Sequence, residues 1–347
     1  MYIGKNKISL NDTPFIIAEM SGNHNHSLDR ALKLVDEASA AGAHAIKIQT
    51  YTADTITIKH DKKEFYITDD NNIWKGQSLY ELYEKAHTPW EWHKDIFKRA
   101  ADKGIVCFSS PFDETAVDFL EGLDTPAYKI ASFENIHLPL IKKVANTGKP
   151  VIVSTGMATI SEIDEVVQTI LSTGNENFIL LKCTSTYPAS PLDSNILTIP
   201  HLRNLYKCEV GLSDHTLGIG AAIAAVAHGG TVIEKHFTLD RNDGGVDSSF
   251  SLDPSELRLL VKETKQAWQS LGKINYGFTD LEKDFLKHRR SIYVSKDIKK
   301  GERLTEKNIR IIRPGLGLPP KYYSILLGRK ARENLKKGRA LSWEIVD

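Results

Sequence analysis

Short apolar runs of strand length alternate with amphipathic stretches over the first three-quarters of the chain. The runs are FIIAEM from Phe15, AIKIQTY from Ala45, VCFSSPF from Val106 and AYKIAS from Ala127, followed by VIVSTG from Val151, FILLKCTSTYP from Phe178, EVGLSDH from Glu209 and TVIEKHFTL from Thr231. Each is rich in β-branched or aliphatic residues, the signature of a buried strand. Between them LDRALKLVDEASAAG, WEWHKDIFKRAADKG and ISEIDEVVQTILSTG carry helical spacing and finish in glycine, the residue expected just past a helix C-terminus. DPSELRLLVKETKQAWQSLG opens with Asp-Pro-Ser-Glu, a capped helix start. Strand alternating with helix predicts a parallel sheet, and eight repeats predict closure into a (β/α)₈ TIM barrel. An open doubly wound sheet is the alternative, but no G-x-G-x-x-G loop follows the first strand.

The rhythm breaks twice. Residues 52–89, between the second and third strands, hold Tyr66, Trp74 and the helical piece SLYELYEKAH. A loop this long on a barrel either shapes the active site or is a plain surface excursion. After Gly272 the pattern changes altogether, which sets a barrel at 1–272, a linker with a short helix at 273–290 and a small turn-rich β domain at 291–347. In that last part Lys-Lys-Gly occurs twice and Pro314-Gly315-Leu316-Gly317 is a further breaker cluster. So short a unit is expected to have little core of its own and to dock on another surface.

Composition narrows the function classes. The 347 residues are 41% hydrophobic and 26% charged, ordinary values for a globular protein. A net charge of +1 argues against a generic nucleic-acid surface, and no apolar run approaches a bilayer span. The opening MYIGKNKISLNDTPF has no basic stretch followed by an apolar core, so a cytoplasmic location is expected. Cys107, Cys183 and Cys208 lack metal-type spacing and read as free thiols in a reducing compartment.

Barrel active sites gather at the C-terminal ends of the strands. Those ends carry Glu19; Lys47 and Gln49; Ser109 and Ser110; Lys129 and Ser132; Ser154 and Thr155; Lys182 and Thr184; Ser213 and His215; Glu234 and His236. Side chains alternate along a strand, so Lys47/Gln49, Ser213/His215 and Glu234/His236 each share a face, while Ile46, Ile48 and Ile233 point the other way. Two imidazoles closing adjacent strands suit a divalent metal acting as a Lewis acid, or structural hydrogen bonds. Lys47 and Lys129 with Ser110, Ser132, Ser154 and Ser213 form a donor cluster fit for a phosphate dianion. A Schiff-base lysine is the rival reading of the same ammonium groups. Glu19, ending an otherwise apolar strand, is either a proton carrier of raised pKa or a partner for the lysines.

These motifs, from IIAEMSGNHNH through KIQTY, YKIAS, STG, GLSDH and EKHFTLD to RPGLGL, resemble the sialic acid synthase family in the family's order and over nearly the whole chain. The resemblance implies a barrel that condenses phosphoenolpyruvate with an amino-sugar aldehyde, followed by a small antifreeze-like (SAF) domain. It implies a homodimer in which that domain covers the partner's barrel. It implies His215 and His236 as ligands of a divalent metal, manganese first and magnesium or cobalt as alternatives, and Glu19 as the catalytic proton carrier. Lys47, Ser110, Lys129, Ser132, Ser154 and Ser213 would surround phosphoenolpyruvate. Asn23, Gln49, Glu134, Tyr187 and Asp247 would face the sugar, with Arg313 reaching it from the other subunit. Two positions depart from the family pattern: His26 stands where glycine is usual, and Asp247 is followed by Ser248 where neuraminate synthases commonly have histidine. The second departure fits a different sugar, with Trp74 and Phe250 available either to an apolar methyl group or to packing.

Overall fold

The computed structural model describes residues 1–69 and 74–347. Its contacts divide the chain into two units, Met1–Gly272 and Lys273–Asp347. In the first, eight parallel strands close into a barrel in chain order: β1 (Phe15–Glu19), β2 (Ala45–Thr50), β3 (Val106–Pro111), β4 (Tyr128–Ile130), β5 (Val151–Ser154), β6 (Phe178–Cys183), β7 (Glu209–Asp214) and β8 (Val232–His236). β8 pairs with both β7 and β1, which leaves no edge.

Alternation sorts the strand residues into two layers. Phe15, Ile17, Ala45, Phe108, Ile152, Ile179, Leu181 and Val232 fill the lower barrel, where Ile3 and Ile8 of the N-terminal segment join them. Ile46, Ile48 and Ile233 face outward into the layer shared with the helices. The inward phase that begins apolar at Phe15 and Ile17 ends polar at Glu19, so the upper barrel is a chemical site on an apolar plug. Register then aligns its members: Glu19 lies beside Lys47 and His236, Gln49 beside Ser110, and Ser213 beside Glu234.

The helices form where the periodicity places them. Leu28–Ala41 buries Ala31, Leu34, Val35, Ala38 and Ala41 on one stripe, starts at Ser27, whose hydroxyl accepts from the Arg30 amide, and stops at Gly42. Thr159 with Glu162, and Asp253 with Glu256, make capping boxes for Ile160–Leu171 and Pro254–Leu271. Among the described residues the insertion includes the α-helices Ala53–Ile56 and Leu79–Ala86 and the 3₁₀ helix Lys63–Phe65.

The second unit pairs Ser291–Val294 with Ile309–Ile312 antiparallel. Both Lys-Lys-Gly sequences turn at glycines in left-handed backbone, Gly301 (φ 83°) and Gly338 (φ 87°). The expectation of a scant core is corrected here: Ile292, Val294, Ile309, Leu326, Leu341 and Val346, among others, bury against one another. Apolar residues spread thinly through a turn-rich sequence show no periodicity, and only the fold collects them. Asp280–His288 forms a 3₁₀ helix, and the Gly315 amide donates to Lys287 O at 2.8 Å, so this stretch packs within the unit.

Candidate active site

The mouth of the barrel holds a buried charge cluster. Lys47 Nζ lies 2.7 Å from Glu19 Oε2 and 3.7 Å from Glu234 Oε1, and donates to Ser110 Oγ at 3.2 Å. Lys129 Nζ lies 3.6 Å from the same Glu234 oxygen, to which Ser213 also donates at 3.2 Å. Gln49 Nε2 donates to Glu19 Oε1 at 2.8 Å and to Ser21 Oγ at 3.2 Å. Two ammonium groups and two carboxylates thus balance in a desolvated site.

Their environments push the two acids apart. Burial raises the Glu19 pKa; Lys47 pulls it back and the Glu234 charge pushes it further up. Burial acts on Glu234 too, but Lys129 and Lys47 together outweigh it and hold that acid below its ordinary value. The two acids are thus shifted in opposite directions, Glu19 toward holding a proton and Glu234 toward staying ionised. Lys129 is lowered by desolvation, partly offset by Glu234. Glu134, its Oε2 buried without a hydrogen-bond partner, is pushed up to about 7 by burial. Asp247 is pushed up to about 6 for the same reason, against a hydrogen bond from Ser21.

His215 and His236 stand together, ring centroids 5.3 Å apart. His215 Nδ1–H donates to Thr184 O at 2.9 Å, which fixes the ring; against burial, the hydrogen bond with Cys183 and that with Thr184 O raise its pKa. Burial, then the charge on His215, hold His236 well below the usual imidazole range; its Nδ1 is buried with no hydrogen-bond partner and lies 3.6 Å from Asp247 Oδ2. Among the described residues no group of three His, Cys, Asp or Glu side chains stands where one metal ion would be held. Aromatic rings pack against the pair. Tyr187 lies 4.5 Å from His215 and 5.5 Å from Phe250, and Phe250 lies 5.0 Å from His236. The insertion reaches this wall, for Trp74 sits 6.0 Å from Tyr187 and donates from Nε1 to Val246 O at 3.1 Å. It shapes the mouth and is no mere surface excursion.

On the β4–β6 side Ser132 Oγ accepts the Gly156 amide at 3.2 Å, and Ser154 Oγ is buried with no partner. A Cβ on Gly156 would meet Ser185 Oγ at 2.2 Å and Ser132 Oγ at 2.5 Å, so only glycine leaves this cradle of donors open.

Glu19, Lys47, Gln49, Ser110, Lys129, Ser132, Glu134, Ser154, Tyr187, Ser213, His215, His236 and Asp247 all belong to this one mouth. Asn23 has a different place. Its amide donates to Phe237 O and Ser251 Oγ, both at 2.9 Å, and its Oδ1 accepts from the Asp247 amide and Ser248 Oγ, both at 3.2 Å. Every site on that side chain is spent on bracing the β8 loop, so direct sugar contact by Asn23 is not what the structure shows. Arg313 belongs to the second unit, exposed, directly after the strand Ile309–Ile312. Lys182, Thr184, Ser109 and Thr155 are spent on backbone and neighbouring hydroxyls rather than on the cluster. From the sequence Glu234 has no assigned role and Cys183 reads as a free thiol. Cys183 shares the phase of Ile179 and Leu181, so alternation held the signal. Burial pushes its thiol up, but the hydrogen bond with His215, 3.9 Å away, and Lys129 bring it down to about 7.

A closed (β/α)₈ barrel with a desolvated lysine–carboxylate cluster and an imidazole pair at its C-terminal mouth, followed by a small β unit, defines a class of barrel synthase. Residues 34–276 match the NeuB family and residues 289–346 the SAF domain; the chain belongs to the NeuB family. It is 48% identical over 330 residues to the pseudaminic acid synthase of Campylobacter jejuni, covering 94% of this chain and 95% of that one. It is 40% identical over 338 residues to the pseudaminic acid synthase of Helicobacter pylori, covering 96% and 98%. Among solved structures, the N-acetylneuraminic acid (sialic acid) synthetase of Leptospira borgpetersenii superposes with a TM-score of 0.72 at 33% identity, over 83% of this chain and 95% of that one.

Proposed function

We propose that the chain condenses phosphoenolpyruvate with 2,4-diacetamido-2,4,6-trideoxy-L-altrose to form pseudaminic acid and phosphate. The observation that carries this reading is that one mouth holds both a lysine–serine cluster and aromatic rings packed on His215 and His236. The first suits a small phosphorylated acid. The second suits a sugar with methyl-bearing edges. The high identity to pseudaminic acid synthases supports the choice of sugar. So do KIQTYTADT, LYELYEKAHTPWEWH and LKCTSTYP, since N-acetylneuraminate synthases read closer to KFQTF at the second strand.

C3 of phosphoenolpyruvate attacks the aldehyde carbon, water adds at C2, and the tetrahedral intermediate expels phosphate by breaking its C–O bond. Lys47, Lys129, Ser110, Ser132, Ser154 and Ser213 orient the phosphate and carboxylate and shield their charge. As Lys47 turns to the substrate, Glu19 loses part of its counter-charge and holds its proton more firmly. It gives that proton to the aldehyde oxygen and regains one from the attacking water, so proton and charge balance over the turnover. Glu234 lies near both ammonium groups and favours their charged forms, for Lys129 against the desolvation that lowers it.

His215 and His236 fit a divalent metal. His215 spends Nδ1 on Thr184 O, and the buried Nδ1 of His236 has no hydrogen-bond partner, as expected of a pair of ligand imidazoles. His215 and His236 would hold such an ion through imidazole nitrogens, a donor set that would suit manganese or a similar divalent ion. When bound, the ion supplies Lewis-acid polarisation of the aldehyde.

Exposed apolar side chains ring the mouth: Phe133, Ile136, Met157, Leu192, Leu197 and Leu217, each at least 60% exposed. Ile274 and Tyr276 are more exposed still. Surfaces of this kind support a homodimer in which a partner's SAF domain, with its Arg313, covers the sugar end. A soluble cytoplasmic enzyme accords with no described helix being long and apolar enough to cross a membrane.

Purified protein supplied with phosphoenolpyruvate and, in turn, the pseudaminate, legionaminate and neuraminate precursors tests the reading. Fastest phosphate release with the first supports it; faster release with either of the others assigns the chain to that sugar instead. Borohydride trapping of substrate on Lys129 would replace this chemistry with that of a Schiff-base aldolase.

A further inference from the structure

Residues 22–26, leaving β1, join the two walls of the mouth. On one side Asn23 braces the β8 loop as described above. On the other, the loop is zipped to the end of the insertion helix Leu79–Ala86. A Cβ on Gly22 would meet Ala86 Cα and O at 3.2 Å, so the two backbones touch. Burial lowers His24 to about 3, hence neutral; its Nδ1 accepts the His26 amide at 3.2 Å, which leaves Nε2–H to donate to Thr88 Oγ1, also at 3.2 Å.

His26 itself stands in left-handed backbone, φ 52°, directly after Asn25 at φ 50°. Glycine occupies such a conformation freely and a residue with a Cβ does not. The side chain is therefore retained against the backbone's preference, and its contacts show a use. Nε2–H donates to Glu84 O at 2.9 Å, across 58 positions of sequence. The ring lies edge-on to His87 at 5.1 Å and to Trp92 at 6.3 Å. His87 Nδ1–H donates to the same carbonyl at 2.9 Å. Glu84 O belongs to the last turn of its helix, where carbonyls lack an amide donor, and two imidazoles supply the missing bonds.

We propose that His26 is a positioning residue that clasps the 52–89 insertion to the β1 loop and so holds the aromatic wall of the sugar side in place. The insertion carries Trp74 to Val246 and to Tyr187, whose ring packs on His215 and Phe250. Releasing the clasp loosens the sugar side and leaves the phosphoenolpyruvate side intact. This rests on the reaction proposed above for the choice of substrates.

The test compares wild type with H26G, H26L and H26Q, with an unfolding midpoint for each. H26G relieves the backbone but removes the donor, H26L removes the donor and keeps bulk, and H26Q restores an amide N–H near the position of Nε2. H26G and H26L are expected to raise KM for the sugar about 5- to 10-fold, the size of one lost hydrogen bond, with KM for phosphoenolpyruvate and kcat within about twofold. H26Q is expected to recover most of the loss. Trypsin is expected to cut within residues 52–89 several-fold faster in H26G than in wild type. Unchanged sugar KM and unchanged cleavage in H26G, or an equal rise in both KM values, overturns the clasp. The protease arm uses no substrate, so it judges the clasp even if wild type turns out to take another sugar.

Discussion

Glu19 and Glu134 show how burial gives two carboxyls work that exposed acids cannot do. Glu19→Gln keeps shape and the contact with Gln49 but removes the transferable proton. It is expected to lower kcat by about 10²- to 10⁴-fold while phosphoenolpyruvate affinity, read by calorimetry, changes little. Unchanged turnover would remove Glu19 from the mechanism. Glu134 carries a stability signature. Its folded pKa is about 7 against 4.5 for a free carboxyl, so between those values the folded chain keeps a proton that the unfolded chain gives up. Stability from this group is full below pH 4.5 and is lost as pH rises through 7. With the carboxyl partly open to water, the loss is about 2 kcal/mol, and Glu134→Gln should abolish it. Urea unfolding of the ligand-free protein at the two ends of that window checks this; identical pH slopes in wild type and variant would contradict it.

Much of the site at this scale was legible in the sequence, because alternation in Lys47/Gln49 and Glu234/His236 fixes which residues share the interior. What alternation could not supply is competition for hydrogen bonds. Asn23 looked available until its amide proved to be shared among Phe237, Asp247, Ser248 and Ser251. Lys182 and Thr184 end a strand, yet fall in the outward phase. Glu234 drew no role because a carboxylate between two lysines is visible only once β2, β4 and β8 close on one another.

Among the elements, the strands were the most legible and the turn-rich second unit the least. Strand identity follows from local composition, whereas the core of Lys273–Asp347 is assembled from residues far apart in sequence. The barrel also has a constraint that composition does not show. Gly211 on β7 sits where an added Cβ would lie 2.1 Å from Val232 O and 2.8 Å from Leu181 Cδ2. Gly211→Ala must therefore displace β8 or β6, with no flexible side-chain tip alone to give way. We expect a loss of about 3 kcal/mol or more in chemical denaturation, at the upper end of single substitutions. A loss under about 1 kcal/mol would mean that the strands yield more easily than their packing suggests.

For the whole molecule, the apolar rim around the mouth is the feature a lone chain leaves unexplained. If a partner covers it, the double variant Met157→Asp, Leu192→Asp should raise the dimer dissociation constant by about 100-fold or more in sedimentation, with little change in the unfolding of each chain. A wild-type protein that sediments as a monomer at micromolar concentration would leave the rim without that partner. On the function proposed above, phosphoenolpyruvate and the diacetamido sugar meet at this mouth for C–C bond formation with C–O cleavage. The most direct test is mass analysis of the phosphate released from phosphoenolpyruvate labelled with ¹⁸O at its bridging oxygen, in the presence of the trideoxy sugar. The account predicts that the heavy oxygen leaves with phosphate. Heavy oxygen retained in the sugar acid, or no phosphate at all, would contradict it.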